Sequence, residues 1–430
     1  MFKKHIQNKL ENYTQQYFQK HPDVKLIVVS GSVGKTSTKR TVGDVLSMRY
    51  KIRMHEGNHN TEIAAPLAML GINFPENIRN PFSWLTVFRA AKKRINSPRD
   101  VDIVIQEIGG DHPGDIRRFG TYLKPDIALV TAVTPEHMEF FKTIEAVADE
   151  ELSVTEFSKM VLVNREDVAG KFAALDTNPN IYTYGSSEQA EYRALPTNMT
   201  LHDGMDIEIG AVDWPEVYKT NVALLGEHSL RPVAGAIAIG VKLGLSPEEI
   251  ISGLQLVRPV PGRMNPLHGF NGSTIIDDTY NSSPAAAKAA LLTLYQFASD
   301  AQCIAVLGSM NELGDVSAVE HQAIGELCTP EMLSWVVVVG EQAEKYLAPA
   351  ARARGCQVKV CIDAIEAAEF TRGVMEENSV VLVKGSQGGI FLEETVKLLC
   401  NMTEDTKLVR QSEQWLALKS KFFTRNRDNQ

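Results

Sequence analysis

The residues best suited to chemistry lie in one short loop, where the segment LIVVSGSVGKTSTKR leads from an apolar strand into a helix. Backbone N–H groups of such a glycine loop, together with the positive end of the following helix, bind phosphate oxygens. The loop is shorter than the full Walker pattern, but Lys35 would still reach terminal phosphates and Thr36 could ligate Mg²⁺. The predicted phosphate-binding residues are Gly31, Ser32, Gly34, Lys35, Thr36 and Ser37. The alternative is a glycine turn with an incidental lysine.

Two further polar side chains follow apolar strands. Glu107 ends the run VDIVIQE, and His137 comes just after the run IALVTAV. Ligands of open α/β sheets bind beyond the carboxyl ends of the strands, where the phosphate loop also lies. A carboxylate and a neutral imidazole beside a triphosphate suit a divalent metal ion, so we predict that Lys35, Glu107 and His137 act together in catalysis. The alternative for His137 is a helix-capping or core histidine.

The elements that must position these residues are short β-branched runs separated by helical patterns. This alternation predicts a parallel sheet with helices on both faces. The runs occupy residues 26–30, 101–107, 127–133, 160–164, 303–308, 335–340 and 380–385. We therefore predict an α/β protein in which a P-loop-type, parallel-sheet ATPase domain precedes a smaller, Rossmann-like α/β domain.

The two series of runs are separated by a different kind of sequence. Residues 181–225 predict short β segments with turn residues, and residues 226–254 predict helix. The Pro-Gly pair within 258–263 then predicts a turn or loop that interrupts the regular structure. We place the boundary just after it, with a central ATP-binding domain at 1–264, beginning with a helix over 1–23, and a C-terminal domain at 265–430.

Composition narrows the class of protein. The chain has 430 residues, 44 Lys and Arg, 53 Asp and Glu, and a formal charge of −9, which argues against a general nucleic-acid binder. Its five cysteines form no CxxC pair, so neither a disulfide framework nor a zinc site is indicated. The beginning of the chain lacks the apolar core of a signal peptide, and no run of about 18 apolar residues occurs. We expect a cytoplasmic protein.

Nine ordered segments resemble the Mur ligase family, and most closely its members that add D-alanyl-D-alanine to a muramoyl tripeptide. The segments are GSVGKTSTK (31–39), GNHNTEIAAPLAML (57–70), QEIGGDHPGDI (106–116), TPEHMEFF (134–141), GEHS (226–229), PVPGRM (259–264), IIDDTYNSSPAAAKAA (275–290), VLGSMNELGD (306–315) and LVKGSQGG (382–389). Their order extends across nearly the whole chain.

The resemblance implies an ADP-forming ligase that uses ATP and Mg²⁺ in peptidoglycan precursor synthesis. A carboxylate substrate resembling a muramoyl peptide becomes an acyl phosphate, which an amino acid or dipeptide amine attacks. This fits the loop, because catalysis of phosphoryl transfer is mostly positioning and neutralisation of charge. By resemblance Lys35 holds the phosphates, Thr36 and Glu107 hold one Mg²⁺, and His137 helps to hold a second.

The resemblance also implies roles for residues farther along the chain. Arg263 and Asp278 would reach the nucleotide from the domain junction, with Tyr280 and Asn281 near adenine and ribose. The alternatives are a junction salt bridge for Arg263 and a simple Asx turn for the other three. The predicted substrate-binding residues are Asn58, Asn60, Thr61, Lys384 and Ser386. Alternatively, the asparagines form turns, and Lys384 and Ser386 merely cap the last helix.

The chain departs from the family pattern in three places. Glu151 stands where the family has a carbamylated lysine, so we predict that it is a catalytic metal ligand; the alternative is a solvated glutamate. Only about 23 residues precede the first strand, where the family usually has a domain that binds the uridine nucleotide. Ser229, Pro232 and Gln387 replace other family residues, which leaves the amine substrate open.

One insertion stands outside these motifs. Residues 80–95 combine aromatic and apolar side chains with a cluster of Arg and Lys. A basic amphipathic helix of this kind can lie on a membrane surface or dock a protein partner. The alternative is a helix packed on its own domain with a solvated basic end.

Two other functions remain open from the sequence. The first is a Mur-type ligase that acts on a lipid-linked or non-peptidoglycan carboxylate, as folylpolyglutamate synthase does for a different class of substrate. The second is a nucleotide-binding scaffold that has lost catalysis, for which Glu151 and Gln387 are the best support.

Overall fold

The computed structural model describes residues 2–55, 59–75, 77–78, 80–135, 137–175, 178–404 and 406–428. The chain forms two compact units. Unit 1 comprises residues 1–198, 206–222 and 229–257, and unit 2 comprises 199–205, 223–228 and 258–430. The functional assignment of 1–264 and 265–430 as separate domains stays a prediction.

The strands of the first sheet are β1 (Lys25–Ser30), β2 (Ile52–Met54), β3 (Ile103–Glu107), β4 (Ile127–Val130), β5 (Val161–Asn164), β6 (Ile181–Gly185), β7 (Tyr192–Thr200), β8 (Gly204–Ala211) and β9 (Tyr218–Val222). Their order across the described part of the sheet is β2-β3-β1-β4-β5-β6-β7-β8-β9. All pairs from β2 to β7 are parallel. Strand β1 lies between β3 and β4, so the residues that follow these three strands meet at one edge.

The helices of this part of the chain are α1 (Phe2–Lys20), α2 (Lys35–Leu46), α3 (Ala64–Leu70), α4 (Pro81–Asn96), α5 (Asp115–Gly120), α6 (Met138–Phe141), α7 (Ile144–Leu152), α8 (Leu230–Lys242) and α9 (Pro247–Leu254). Short 3₁₀ helices lie at Ser153–Phe157, Gly170–Leu175 and Glu227–Ser229. The predicted N-terminal helix and the helix that begins at Lys35 are both confirmed. Apolar residues of α1 and α4 join the buried core on the sheet.

The strands of the second sheet are β10 (Asn265–His268), β11 (Thr274–Asp278), β12 (Cys303–Gly308), β13 (Trp335–Val339), β14 (Val358–Cys361) and β15 (Val380–Lys384). The order is β10-β11-β15-β12-β13-β14 among the described residues, with only the β10–β11 pair antiparallel. Two apolar clusters of buried residues pack against this sheet. The mostly parallel pairing of strands in both sheets, with helices between them, confirms the predicted α/β class.

The helices that accompany it are α10 (Pro284–Tyr295), α11 (Ser317–Leu327), α12 (Ala348–Ala353), α13 (Ala364–Val374), α14 (Glu393–Leu399) and α15 (Glu413–Asp428). Short 3₁₀ turns lie at Phe270–Gly272 and Gly314–Val316, and a π-helical turn at Ala343–Leu347. Across the described ranges, no helix has both the length and the apolar character needed to cross a membrane.

Candidate active site

The glycine loop between β1 and α2 is held tightly against the end of β4. Thr131, the first residue after β4, donates its hydroxyl to the carbonyl of Val33 at 2.6 Å. Gly31 has a φ of 122°, and a Cβ there would lie 2.2 Å from the Thr131 hydroxyl oxygen. No other residue fits this position, because both the backbone conformation and the space require glycine. The loop is therefore fixed in shape by its neighbouring strand.

The remaining loop residues include further contacts with the segment that follows β4. Ser32 donates its backbone N–H to the carbonyl of Ala132 at 2.9 Å, and its hydroxyl oxygen accepts from the N–H of Thr134 at 3.1 Å. Gly34, with a φ of 86°, precedes α2 at the N-cap position. Ser37 lies in the first turn of α2. The N-terminus of α2 thus begins directly at the loop, as an anion site requires.

Lys35 is half-buried and lies against the loop itself. Its ammonium contacts the carbonyl of Gly31 and lies 3.3 Å from that of Ser32. A Cβ built on Gly109 would come within 3.7 Å of the ammonium nitrogen and 3.2 Å of the Asn60 amide nitrogen. The loop cation therefore lies beside the segment that follows β3, where a phosphate could exchange for its backbone partners.

Glu107 lies at the end of β3, directly beside β1 in the sheet. The Thr36 hydroxyl donates to its Oε2 at 3.0 Å, and the Lys39 ammonium lies 3.5 Å from the same oxygen. Glu107 and Lys39 are both buried. Burial lowers the pKa of Lys39, although the charge of Glu107 opposes this shift. A carboxylate and a hydroxyl in contact are a donor pair that suits Mg²⁺.

Glu151 contacts the other side of the loop, at its first residue. Its Oε2 accepts hydrogen bonds from the Ser30 hydroxyl at 2.7 Å and from the Gly31 N–H at 2.6 Å. Glu151 is only 4% exposed, so the alternative of a solvated helix glutamate is wrong. The carboxylate therefore connects α7 to the first residue of the phosphate loop.

The preceding residue, Glu150, is also buried but has different partners. Its carboxylate accepts from the N–H groups of Gly114 and Ile116, both at 2.6 Å, where α5 begins. Burial raises the pKa of Glu150, while these two hydrogen bonds oppose the shift. Adjacent glutamates on α7 therefore have distinct roles, since one anchors α5 and the other anchors the phosphate loop.

His137 precedes α6 with a φ of 48°, and its side chain makes no capping hydrogen bond. Its Nε2 lies 3.5 Å from an oxygen of Asp111, a residue of the segment after β3. Within the ranges that the structure describes, no three His, Cys, Asp or Glu side chains form a group able to hold a metal ion. Of the four predicted metal ligands, the structure brings Thr36 and Glu107 into contact.

A cavity of about 450 Å³ lies between α1, α5 and the segment after β2. Asn60 and Thr61 are part of its lining, with Gly109 at the side of Lys35. Thr61 also accepts from the N–H of Ala64 at 3.4 Å, at the beginning of α3. The third predicted residue of this segment, Asn58, lies outside the described residues. The cavity offers room for a substrate beside the phosphate loop.

In unit 2, Lys384 and Asp278 form a buried ion pair. They are register partners on the adjacent strands β15 and β11, and their charged atoms are 2.6 Å apart. The Lys384 ammonium also donates to the carbonyl of Asn281 at 3.1 Å. Lys384 is 2% exposed, and α14 has Leu392 at its N-cap, so Lys384 does not cap that helix. It supports the loop after β11.

Ser386 lies in the loop after β15 and is also buried. Its hydroxyl donates to the carbonyl of Ser282 at 3.2 Å and accepts from the N–H of Asn311 at 2.9 Å. These two hydrogen bonds connect the loops that follow three neighbouring strands. Ser386 therefore contributes to the same end of the second sheet as Lys384.

The nucleotide residues predicted from resemblance lie together at this end of the second sheet. The Arg263 guanidinium lies over the Tyr280 ring, 4.3 Å from its centroid, a favourable cation–π arrangement. An Asx turn is present, but Asp277 forms it, because its Oδ1 accepts from the Thr279 N–H at 3.2 Å. Asp278 instead accepts from the Met264 N–H at 3.2 Å.

Some residues of the two sites have no role in the sequence-based prediction. Lys39 lies four residues after Lys35, on the same face of α2, and this spacing could have identified it. Thr131 follows β4 directly, at the edge where the ligands were expected. Arg410 donates to the carbonyls of Thr279 and Tyr280 at 2.6 and 3.0 Å, and no local sequence pattern indicates it.

Comparisons with known proteins match both parts of the chain. Residues 29–240 match the Mur ligase middle domain, and residues 262–387 match the Mur ligase glutamate ligase domain. The UDP-N-acetylmuramoyl-tripeptide–D-alanyl-D-alanine ligase of Bacillus subtilis is 25% identical over 395 residues, which cover 90% of this chain and 78% of that enzyme. The enzyme of the same name from Mycobacterium bovis is 27% identical, over 73% of this chain and 58% of its own length.

A solved structure shows the same fold. MurF ligase from Thermotoga maritima, in complex with ADP, superposes with a TM-score of 0.72 at 22% identity. The match covers 91% of this chain and 83% of that one. At this identity the likeness establishes the fold, and the chemistry must be argued from the residues themselves.

Proposed function

Because this chain belongs to the Mur ligase family, we propose that it is an ATP-dependent, ADP-forming ligase that joins a carboxylate to an amine. The D-alanyl-D-alanine ligases among its relatives favour a muramoyl-tripeptide carboxylate and the amine of D-alanyl-D-alanine as its substrates. These assignments would place the chain in the synthesis of peptidoglycan precursors, and its predicted cytoplasmic location stays a prediction.

The observation that carries the proposal is the contact between Thr36 and Glu107 beneath the phosphate loop. A buried carboxylate at hydrogen-bond distance from a loop hydroxyl is a donor set for Mg²⁺, and Lys35 lies against the same loop. Thr36 and Glu107 would hold the metal, which would neutralise phosphate charge when bound. His137 and Glu151 are the predicted further ligands at this edge of the sheet.

The chain's own residues then have defined tasks in the proposed reaction. The N–H groups at the beginning of α2 bind phosphate, and Lys35 exchanges its backbone partners for phosphate oxygens. The substrate carboxylate attacks the terminal phosphorus and ADP leaves. The amine nitrogen next attacks the carbonyl carbon of the acyl phosphate, and inorganic phosphate leaves as the amide forms. Positive charge from Lys35 and Lys39 offsets the negative charge that accumulates.

Unit 2 holds the residues that we propose for recognition of the nucleotide base. Arg263 and Tyr280 form a cationic and aromatic surface that suits an adenine base, and Asp278 and Asn281 follow in the same loop. We assign Lys384 and Ser386 to the support of this loop, because both are buried and hydrogen-bonded within it. The cavity lined by Asn60 and Thr61 is our proposed place for the acceptor peptide.

The test is ADP formation by the purified chain with ATP, Mg²⁺ and pairs of substrates. UDP-N-acetylmuramoyl-tripeptide with D-alanyl-D-alanine should give ADP and an amide product of matching mass, in equal amounts. Omission of either substrate should abolish both products, and Lys35→Ala serves as the inactive control. Product formed only from a lipid-linked or a folate-type carboxylate would support the alternative acceptor. Nucleotide binding without turnover on any pair would support the scaffold.

A further inference from the structure

Helices α1 and α4 pack against each other on unit 1 and concentrate positive charge. Tyr13 of α1 and Phe88 of α4 meet edge to face, with ring centroids 6.1 Å apart. The Lys20 ammonium donates to the Asn96 side chain at 2.7 Å. Together the two helices carry eight Lys and Arg residues and one acidic residue, Glu11, in a chain whose formal charge is −9. This charge cannot reflect overall composition, so it marks a distinct surface.

The outward face of α4 is both apolar and basic. Trp84, Phe88 and other apolar side chains at helical spacing are buried in the core. The opposite face presents Phe82 and Leu85 near the beginning of the helix and Arg89, Lys92 and Lys93 toward its end, all exposed. A buried apolar face opposite an exposed basic face is typical of an amphipathic helix. The exposed face of α4 differs from that pattern because Phe82 and Leu85 form a smaller apolar patch on it.

That outward patch is unusually exposed for large apolar side chains. Phe82 is 76% exposed, Leu85 is 45% exposed and Ile78, just before the helix, is 58% exposed. The Trp84 indole N–H donates to the carbonyl of Ile78 at 2.9 Å, which fixes the preceding segment against the helix. Neighbouring apolar side chains held rigidly in solvent are typical of a surface that meets another apolar phase.

Most of the charge on this surface is not neutralised by the chain. Glu62 pairs with Lys3 and Asp100 with Arg94. By contrast, no carboxylate of the described residues forms an ion pair with the remaining exposed cations of the two helices. These are Lys4, Lys20, Arg89, Lys92 and Lys93. Unpaired cations beside exposed apolar side chains are complementary to a surface that is anionic and apolar at once.

We propose that this surface, formed by Ile78, Phe82, Leu85 and the exposed cations of α1 and α4, binds the surface of an anionic lipid bilayer. Phe82 and Leu85 would enter the boundary between headgroups and acyl chains while the lysines and arginines contact anionic headgroups. A nucleic acid would use the charge but would leave the apolar patch in water. A helix of 16 residues is too short to cross the bilayer, so the contact is peripheral.

The test is cosedimentation of the full chain with vesicles, without ATP or ligase substrates. Vesicles of phosphatidylglycerol and phosphatidylcholine should retain the protein, and vesicles of phosphatidylcholine alone should retain at least about tenfold less. Binding to the anionic vesicles should weaken as salt rises from about 0.05 to 0.5 M, because screening shortens the reach of the charges. Equal retention by both kinds of vesicle would overturn the proposal.

Two variants separate the contributions of the surface. Lys92→Glu with Lys93→Glu should reduce retention at least about tenfold, whereas the exposed pair Lys345→Glu with Lys407→Glu should not, although the net charge changes equally. Phe82→Ser with Leu85→Ser should also reduce it, and the exposed pair Val212→Ser with Val319→Ser should not. Equal losses in the test and control pairs would contradict a local surface.

A positional probe distinguishes insertion from electrostatic contact. The chain has four native tryptophans, so the readout is the fluorescence that each variant adds to that of the wild type. The fluorescence added by Phe82→Trp should be quenched by lipids that carry a spin label near the headgroup, whereas that added by Val319→Trp should not. A nucleic acid is the competing ligand for this surface, and single-stranded RNA of mixed sequence tests it. RNA that removes the protein from vesicles, together with an unquenched Phe82→Trp, would overturn the lipid assignment in favour of a nucleic acid. Because these assays need no turnover, their outcome is independent of the proposed ligase reaction.

Discussion

The ammonium of Lys39 lies 3.5 Å from the carboxylate of Glu107, and both side chains are almost completely buried. Thr36 donates to the same carboxylate oxygen, so the end of β3 is joined to the first turns of α2. A buried carboxylate needs such partners, since its charge is costly away from water. These two contacts thus fix Glu107 at the end of β3, against the first turns of α2.

Replacement of Lys39 should therefore damage stability as well as catalysis. Lys39→Met leaves Glu107 buried beside an apolar chain, and we expect a loss of about 3 to 5 kcal/mol in unfolding free energy. Adding Glu107→Gln should restore much of that stability without restoring phosphate release. Chemical denaturation and an ADP assay on both variants check this. A Lys39→Met protein as stable as the wild type would contradict the structural role.

Replacement of Lys35 should instead reduce the rate of phosphate release strongly and change stability little. Lys35→Ala removes a half-buried cation whose partners include two loop carbonyls, so we expect a stability change of about 1 kcal/mol or less. Phosphate release should fall by roughly 10²-fold or more, because a charge that stabilises the transition state is lost. Lys25→Ala, at the exposed beginning of strand β1, which leads into the loop, is the matched control. Normal turnover by Lys35→Ala at saturating substrate would refute the assignment.

The sequence predicts the local elements around the site because each has a local signal. Buried strands are continuous β-branched runs, and α2 begins directly after the glycine loop. Lys35, Thr36 and Glu107 follow from the same signals, since parallel strands bring their carboxyl ends to one edge.

Other contacts depend on tertiary structure and have no local signal. Glu151 is 120 residues from Gly31 in sequence, and only packing of α7 decides that it, and not Glu150, reaches the loop. Lys384 meets Asp278 because the chain order of strands differs from their order in the sheet, with β15 beside β11. The burial of Lys384 could not be inferred from LVKGSQGG, since lysine is usually exposed.

The pair of Lys384 and Asp278 allows the substrate role of Lys384 to be tested. Lys384→Met should lower the unfolding free energy by about 3 to 5 kcal/mol, and Asp278→Asn in the same protein should recover part of it. At temperatures where the variant stays folded, KM for ATP should rise while KM for the amine stays unchanged. An increase confined to KM for the amine would instead support direct contact with substrate.

Asp277 should make stability depend on pH in the weakly acidic range. Burial raises its pKa to about 6, despite hydrogen bonds from Thr279 and Gly262 that favour the charged form. The folded state thus holds a proton that the unfolded chain releases near pH 4, so this residue's contribution falls as pH rises from about 4 to 6.

The size of that contribution is about 2 to 3 kcal/mol, since each unit of pKa difference is worth about 1.4 kcal/mol. Urea unfolding of the wild type and Asp277→Asn at pH 4.5, 5.5, 6.5 and 7.5 measures it. The unfolding free energy of Asp277→Asn, relative to that of the wild type, should rise up to about pH 6.5 and then stay constant. A constant difference between wild type and Asp277→Asn would contradict the raised pKa.

Glu151 and Glu150 are a natural matched pair, because both are buried on α7 but hold different elements. If Glu151 supplies the carboxylate that carbamylation supplies elsewhere in the family, activity should not depend on bicarbonate. Glu151→Gln removes the charge with little change of shape, and it should raise the Mg²⁺ requirement and slow acyl-phosphate formation. Glu150→Gln should lower stability by about 1 to 3 kcal/mol and leave the Mg²⁺ dependence unchanged, because its partners are the N–H groups before α5.

The measurement is phosphate release against Mg²⁺ concentration in CO₂-free buffer, with and without added bicarbonate. Glu151→Lys should be inactive without bicarbonate, and recovery on its addition would show that the pocket forms a carbamate. The Gln variant keeps an oxygen that can accept from Gly31, so a loss of rate with an intact fold reports the missing charge. Full rate at limiting Mg²⁺ in Glu151→Gln would show that Glu151 anchors the loop and does not bind the metal. Thr36 and Glu107 would then be the remaining protein ligands in contact with each other.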